Sequence, residues 1–448
     1  PPRRAGGGRV IAEAAFRAKT AVVGRDSTAQ LDAFVRHDAL PAAALEQLSR
    51  ERALRHARFA SEHSPFYRDL YRDAGITAAD LRDDAVLDAL PLVDKPALRE
   101  HFDTIRTDEA TDRTSATSRT GGSTGLPLHV LRDLRFPARA LEWRLFRWWG
   151  VEPWEDRGII TRHMLEGLAR VRHDLQWLPS RRVQLDAFRI TDETVTEFAR
   201  RWNRLRPPFL LGYGGGVLEL VRRTGRLGIE LAPPRAVAVT AAPLAPGVRA
   251  EIATALRAPV YDHYRSAEVP WIAGECAEQS GMHVFWDVRR VEILDDDDRP
   301  VPDGQEGNVV VTDLTNRVFP VVRYRLGDVS SIHRETCVCG RSLPRLGAVS
   351  GRASDAVRLP DGTTIAGALG HIFDHAPLSV RQFEIVQGRD YAVTLRCIPA
   401  SDERADIERA LATLRRATRG LVPVTLELVD HIPQVGGKMR FIRSDAPS

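Results

Sequence analysis

The 448-residue chain reads as an α/β protein: a large N-terminal domain of β/α layers plus a small antiparallel region, followed by a small α+β C-terminal domain. Three observations predict this. Short apolar runs (Arg157–Thr161, Phe209–Gly212, Ala236–Thr240, Val260–Tyr264) alternate with helical stretches (Thr191–Leu205, Gly216–Thr224), the rhythm of a mainly parallel sheet. From Gly281 the runs shorten (His283–Trp286, Val291–Leu294, Asn308–Asp313) and are separated by Asp295–Arg299 and Pro302-Asp303-Gly304, turns that join antiparallel strands. The chain then closes on a β-β-α-β unit: Gln382–Val386, Tyr391–Ile398, a helical pattern over Asp402–Arg419 stopped by Gly420, and Val422–Val429. At about 90 residues, that unit has the size of a small domain.

Composition narrows the function. Charged residues make up 28% and hydrophobic residues 43%, as in ordinary soluble globular proteins. The net charge of +4 comes from 64 basic and 60 acidic residues that are interspersed rather than gathered, so nothing calls for nucleic acid. No apolar run approaches the roughly 20 residues of a membrane span, and the start lacks a signal-peptide core, so a cytoplasmic location and no membrane partner are expected. Cys276, Cys337, Cys339 and Cys397 are too few for a disulfide framework, which leaves metal binding or burial. Arginine carries nearly all the positive charge; the lysines are Lys19, Lys95 and Lys438.

Residues 28–62 carry apolar positions at helical spacing, until Ser64-Pro65 breaks the pattern. Asp94-Lys95-Pro96 reads as a helix start, with a capping carboxylate and a proline in the first turn. Trp143, Phe146 and Trp149 share one face of a further helix. The Gly212–Gly216 run reads as a tight strand-to-helix turn without the full dinucleotide fingerprint.

The chemistry gathers around Thr117–Pro127, Thr-Ser-Arg-Thr-Gly-Gly-Ser-Thr-Gly-Leu-Pro. Gly121, Gly122 and Gly125 let the backbone close on a ligand, and Thr120, Ser123 and Thr124 add hydroxyl donors, the makings of a phosphate cradle. Leu126 follows the last glycine where a P-loop requires lysine. Tyr264-Arg265-Ser266-Ala267-Glu268 pairs an aromatic ring suited to stacking on a purine with a carboxylate suited to a hard cation. Tyr324–Asp328 places a carboxylate able to accept two ribose hydroxyls; Gly351–Asp355 falls at the domain boundary, and Gly436-Gly437-Lys438 sets a rare lysine on a glycine turn.

In this order and spacing the motifs resemble the adenylate-forming superfamily of acyl-CoA synthetases, adenylation domains and luciferases, and within it the phenylacetate-CoA ligase-like branch. Pro65-Phe66-Tyr67, Gly75-Ile76, Leu90–Asp94 and Cys337–Arg341 before Pro344-Arg345 extend the likeness over nearly the whole chain. The resemblance implies an ATP- and Mg²⁺-dependent enzyme that converts a carboxylic acid, aromatic by likeness, to an acyl-adenylate with loss of pyrophosphate, then passes the acyl group to coenzyme A. It implies that Thr120–Gly125 hold the ATP phosphates, that Tyr264 stacks on adenine, that Glu268 holds Mg²⁺, that Asp328 and Arg352 bind ribose and that Lys438 is the catalytic lysine. It further implies a large domain over 1–351, a hinge at 352–355 and a small mobile domain over 356–448. A carrier-protein thiol or an amine is the alternative acceptor, a homodimer the oligomer to test, and a nucleotide-binding regulatory protein the reading without catalysis. Departures from the family pattern fall at Gly121, Leu126, Ala242, Arg265, Ala267 and Ser354, and spare Glu268, Asp328 and Lys438.

The cysteines add a second expectation. Cys276, His283, Cys337 and Cys339 form a Cys₃His set of the type that holds structural Zn²⁺, with His333 in reserve. Partly buried reduced thiols would look the same in sequence.

Overall fold

The structure is a computed structural model and describes residues 5–23, 27–119, 128–161, 164–165, 167–187, 189–240, 244–349, 357–361, 364–365, 369, 372–373, 379–400, 404–432 and 442–446. Helices α1 (Ala5–Val23), α2 (Ser27–His37), α3 (Ala42–His63) and α4 (Pro65–Asp73) come first. Ser64 ends α3 and caps α4, its hydroxyl accepting from the Tyr67 N–H, with Pro65 in the first turn where its missing donor costs nothing. Short helices α5 (Lys95–Glu100) and α6 (Phe102–Ile105) follow; the Asp94 carboxylate caps α5 at 2.9 Å from the Ala97 N–H, as its sequence implied. An antiparallel pair, β1 (Ser115–Arg119) and β2 (His129–Asp133), flanks the glycine loop, and α7 (Arg139–Trp148) comes next.

The alternating region runs β3 (Arg157–Thr161), α8 (Gly167–Trp177), β4 (Arg182–Asp186), α9 (Asp192–Leu205), β5 (Phe209–Tyr213), α10 (Gly214–Arg226), β6 (Ala236–Thr240), α11 (Pro246–Leu256) and β7 (Val260–Tyr264). Then come β8 (Ala273–Glu275), β9 (Met282–Val284), β10 (Arg289–Leu294), β11 (Gly307–Asp313), β12 (Tyr324–Ser330), β13 (Ile332–His333) and β14 (Arg345–Leu346). The last segment holds β15 (Val357–Arg358), β16 (Thr364–Ile365), β17 (Val380–Gln387), β18 (Val393–Pro399), α12 (Ala405–Ala417), β19 (Val424–Leu428) and β20 (Ile442–Ser444). The α/β class is therefore as expected; α1, α8, α11, β4, β8 and β20 are among the additions to it.

By backbone contacts the chain divides into two compact units, one of Pro1–Trp148, His263–Leu326 and Ser330–Gly347, the other of Trp149–Asp262, Gly327–Val329 and Ala348–Ser448. In the second unit, strands β4, β3, β5, β6 and β7 pair side by side and parallel in that order. The chain leaves β3 first to one side and then to the other, so a topological switch point lies between β3 and β5, where open sheets of this type bind ligands at the strands' carboxyl ends. Trp202 of α9, Leu210, Val217, Val237, Val239 and Ile252 are among the buried residues of its core. The same unit contains a second sheet, β19-β18-β17-β20, with Ile407, Leu411 and Leu414 of α12 in a core of their own. Strand β20 closes this sheet by pairing parallel to β17.

In the first unit, the last two residues of β7 turn antiparallel to β8, and β9, β14 and β13 continue the ladder. Strands β10, β11 and β12 form a separate sheet, whose β12 is bridged in parallel by Val93. The buried Tyr67 hydroxyl donates to the Pro320 carbonyl at 3.2 Å and accepts from the Val322 N–H at 3.0 Å, fixing the segment that delivers Tyr324. Among the described residues, no helix is long and apolar enough to cross a membrane.

Candidate functional site

The Tyr264–Glu268 motif sits where β7 ends. A short loop is tied off by the Ser266 N–H to the Val269 carbonyl (3.1 Å) and by the Val269 N–H to the Ser266 hydroxyl (2.9 Å), and the chain returns with the Ile272 N–H on the Tyr264 carbonyl (2.9 Å). The loop turns Glu268 inward, 5% exposed, while Tyr264 stays half-buried. The hydroxyl of Tyr324, itself buried, donates to Glu268 Oε1 at 3.4 Å. No ion pair to Glu268 occurs among the described residues. A desolvated carboxylate with one long hydrogen bond is a group prepared for a cation. Tyr324 is the residue that motif reading missed: it opens the Tyr324–Asp328 stretch, but nothing in sequence says it reaches back to Glu268.

Arg265 lies with its guanidinium carbon 4.7 Å from the centre of the Trp271 ring, and Trp271 stacks on buried His263 at 5.2 Å and 17°. The arginine that departs from the family pattern is thus held over an aromatic ring. Asp328 lies on β12 just after Gly327, whose φ of +79° few other residues adopt. Thr120, Gly121, Gly122, Ser123, Thr124, Gly125, Arg352 and Lys438 lie outside the described residues, as do Ala242, Ser354 and the hinge at 352–355.

The Gly212–Gly216 turn joins β5 to α10, and packing explains its glycines. A Cβ on Gly212 would stand 3.0 Å from Ile160 and from Val217, and one on Gly216 would stand 3.0 Å from Ile160. The aromatics of 143–149 are core residues: Trp143 meets Phe16 edge-on at 4.9 Å, Phe146 is buried, and Trp149 stacks on Tyr261 at 5.5 Å and 7°.

The second cluster is the four-donor set. Ligand atoms of Cys276, His283, Cys337 and Cys339 all lie within 4.8 Å of one another. The Cys276 and Cys337 sulfurs are 4.0 Å apart, and the Cys339 sulfur is 3.4 Å from His283 Nε2. A Zn²⁺ tetrahedron with bonds of about 2.3 Å to sulfur and about 2.0–2.1 Å to nitrogen requires separations of about 3.8 and 3.6 Å, so the donors fit. His283 Nδ1–H donates to the Leu343 carbonyl at 2.9 Å, which selects the tautomer that turns a bare Nε2 toward the thiols. Cys337 and Cys339 are brought together by a tight turn in which the Gly340 N–H donates to the Cys337 carbonyl at 2.8 Å and Gly340 adopts φ +85°. Burial pushes the Cys276 thiol up to about 12 and holds His283 neutral down to about 4. Burial acts in the same direction on Cys337, but backbone and side-chain hydrogen bonds, that of Ser280 among them, outweigh it and lower this thiol. His333 is not part of the set; its Nε2 lies 3.2 Å from the Ser331 hydroxyl.

A buried ionic network stands beside the cluster. Arg144 is fully buried between Asp38 (2.6 Å) and Asp287 (2.9 Å), and its guanidinium faces the rings of Phe34, Trp148 and Phe285. Asp287 also meets His37 Nδ1 at 2.7 Å. Arg341, from the cysteine turn, lies 4.6 Å over Trp148, whose indole N–H donates to Asp38 at 2.8 Å and whose ring meets His283 edge-on at 5.7 Å.

No family model matches the chain. Four curated relatives do, all of them phenylacetate-coenzyme A ligases. The phenylacetate-coenzyme A ligase of Thermus thermophilus is 25% identical over 368 residues, 79% of this chain and 80% of its own length. That of Escherichia coli is 27% identical over 327 residues, 69% of this chain and 72% of its own. Among solved structures, a 2-hydroxyisobutyryl-CoA ligase in the postadenylation state superposes with a TM-score of 0.73 at 21% identity, covering 92% of this chain and 91% of that one. An anthranilate CoA ligase bound to anthranoyl-AMP superposes with a TM-score of 0.52 at 12% identity, covering 74% and 66%. Fold and homology together make the chain an enzyme of the adenylate-forming ligase class. Within that class its relatives by sequence are phenylacetate-coenzyme A ligases, the branch its motifs resemble.

Proposed function

We propose that the chain activates a carboxylic acid, aromatic in class, as an acyl-adenylate with release of pyrophosphate, and transfers the acyl group to coenzyme A. The observation that carries the reading is Glu268, a buried carboxylate without an ion pair among the described residues, set on one loop with Tyr264 and touched by Tyr324. Attack of a carboxylate oxygen on the α-phosphate of ATP brings two anions together and gathers charge on the phosphoryl oxygens. Glu268 would hold Mg²⁺, which supplies the divalent charge that offsets this build-up when bound. Thr120–Gly125 would hold the phosphates through N–H and hydroxyl donors, with Tyr264 on adenine and Asp328 and Arg352 on ribose. Lys438 would bring an ammonium to the developing charge and then leave, a rotation about 352–355 presenting another face of the small domain for thioester formation. A domain boundary over 352–355 is part of this proposal.

Cys276, His283, Cys337 and Cys339 would hold one structural Zn²⁺. The four donors close the coordination shell and leave no position for substrate.

The deciding experiment is ATP- and Mg²⁺-dependent pyrophosphate release across aryl and alkyl acids, with and without coenzyme A. Release that needs an aryl acid and turns over repeatedly only with coenzyme A is expected. Acid-dependent release indifferent to coenzyme A would move the acceptor to a carrier thiol or an amine; ATP binding without release for any acid would overturn the enzyme reading.

A further inference from the structure

The backbone around Tyr324 is fixed from three directions. The residue before it, Arg323, is a non-glycine residue at φ +45°, a conformation that persists only where the surroundings over-determine it. Here they do. The Arg323 guanidinium donates to the Asp88 carbonyl at 2.8 Å and to the Leu90 carbonyl, and pairs with Glu292 at 2.8 Å, while its backbone N–H donates to the Thr312 hydroxyl at 3.0 Å. Val93 clamps the chain on both sides of Tyr324: its N–H donates to the Arg323 carbonyl at 3.0 Å, and its carbonyl accepts from the Arg325 N–H at 2.9 Å. The Val322 N–H is taken up by the Tyr67 hydroxyl at 3.0 Å, which gives the Pro65-Phe66-Tyr67 motif a task in the fold.

This bracing serves one contact. Tyr324, 1% exposed, brings its hydroxyl to 3.4 Å from Glu268 Oε1, and Oε2 makes no hydrogen bond or ion pair among the described residues. A donor at one oxygen restrains the carboxylate and leaves the other oxygen presented. Contacts of this kind are often long before substrate binds and shorten in the complex. We propose that Tyr324 is a positioning residue for the cation that Glu268 would hold: its hydroxyl keeps the carboxylate in one orientation, so that Mg²⁺ meets a ligand already aimed. Partners that orient a metal ligand in this way weigh on metal affinity without touching the metal. The strained turn at Arg323 is the device that sets the hydroxyl there. This role rests on the ligase reading, in which Glu268 binds the divalent cation of the nucleotide. The hydroxyl is the one group that phenylalanine lacks, so packing and positioning separate in a single substitution.

The test is calorimetric titration of the full chain with ATP, with and without Mg²⁺, for the wild type, Tyr324→Phe, Glu268→Gln and the double variant. The wild type should gain affinity when Mg²⁺ is added. In Tyr324→Phe that gain should shrink on the order of tenfold, with the affinity for metal-free ATP and the thermal midpoint at wild-type values. The double variant should match Glu268→Gln, because the hydroxyl acts through the carboxylate. Pyrophosphate release should agree: the Mg²⁺ concentration for half-maximal rate rises in Tyr324→Phe, and the KM for the acid stays put. A Mg²⁺ gain lost in Glu268→Gln but intact in Tyr324→Phe would overturn the positioning role and leave the ligase reading standing. Losses that add in the double variant would also overturn it, since Tyr324 would then act apart from Glu268. A gain intact in both single variants would take the cation away from Glu268, and the role of Tyr324 with it.

Discussion

Glu268 shows how much one side chain can say about a site. A carboxylate 5% exposed, with one hydrogen bond of 3.4 Å and no ion pair among the described residues, gives up hydration without local compensation. Glu268→Gln keeps the shape and the Tyr324 contact while removing the charge. Acid-dependent pyrophosphate release should fall on the order of 10²-fold or more, and its dependence on Mg²⁺ concentration should shift upward; a wild-type Mg²⁺ titration in the variant would remove Glu268 from the cation site. Lys438→Ala should lower release on the order of 10²–10³-fold, by analogy with loss of a single preorganised donor. Steady-state rates that match the wild type would take this lysine out of the chemistry. The identities and loop positions of Tyr264 and Glu268 were legible because motif spacing fixes them. Tyr324 on Glu268 was not, because a contact across 56 positions depends on how the β10-β11-β12 sheet is placed, which no local pattern carries.

At the scale of elements, legibility followed burial. Strands β3, β6 and β7 occupy the residues predicted for them, and β6, Ala-Val-Ala-Val-Thr with four of five positions buried, is the plainest case, since a strand covered on both faces reads as a continuous hydrophobic run. Helix α8 escaped for the opposite reason: its apolar stripe does not face a core. Strand β20 escaped because three residues in a sheet leave too short a pattern to read. Close approach between elements also yields a prediction. A Cβ on Gly158 would stand 2.3 Å from the ring of Trp202, and that ring is fixed by its indole N–H on the Ala232 carbonyl at 2.8 Å. Gly158→Ala should therefore cost about 1–3 kcal/mol of stability, read from urea unfolding; an unchanged midpoint would mean that α9 can move off β3 freely. The cysteine turn is a similar case, built from Gly340 and held beside Trp148 by Arg341. Purified protein should carry about one Zn²⁺ per chain by elemental analysis, and Cys337→Ser should lose most of it and lower the thermal midpoint. Metal-free wild type with an undiminished midpoint would leave these residues as reduced thiols only.

At the scale of the whole molecule, buried titratable groups set the pH range in which the fold is stable. His56 is 5% exposed, its Nε2 has no hydrogen-bond partner among the described residues, and burial lowers its pKa to about 4. The unfolded chain protonates the same imidazole near 6.5. Below about pH 6.5 the unfolded state therefore binds the extra proton first, and the stability held at neutral pH drains away until the folded state also protonates near 4. Between pH 7 and pH 5 this amounts to roughly 2 kcal/mol. Asp287 acts in a lower window. Burial works against its ionised form, but Arg144 and His37 outweigh it and bring the carboxyl down to about 2, so its contribution persists above about 4 and is lost only as pH falls further toward 2. The two windows separate the groups: the loss from His56 falls between pH 7 and 5, and the loss from Asp287 falls below 4. Urea titrations at pH 7 and 5 should show the first decline in the wild type and a shallower one in His56→Gln, which cannot take up the proton. Equal slopes in the two proteins would place the acid sensitivity in another histidine.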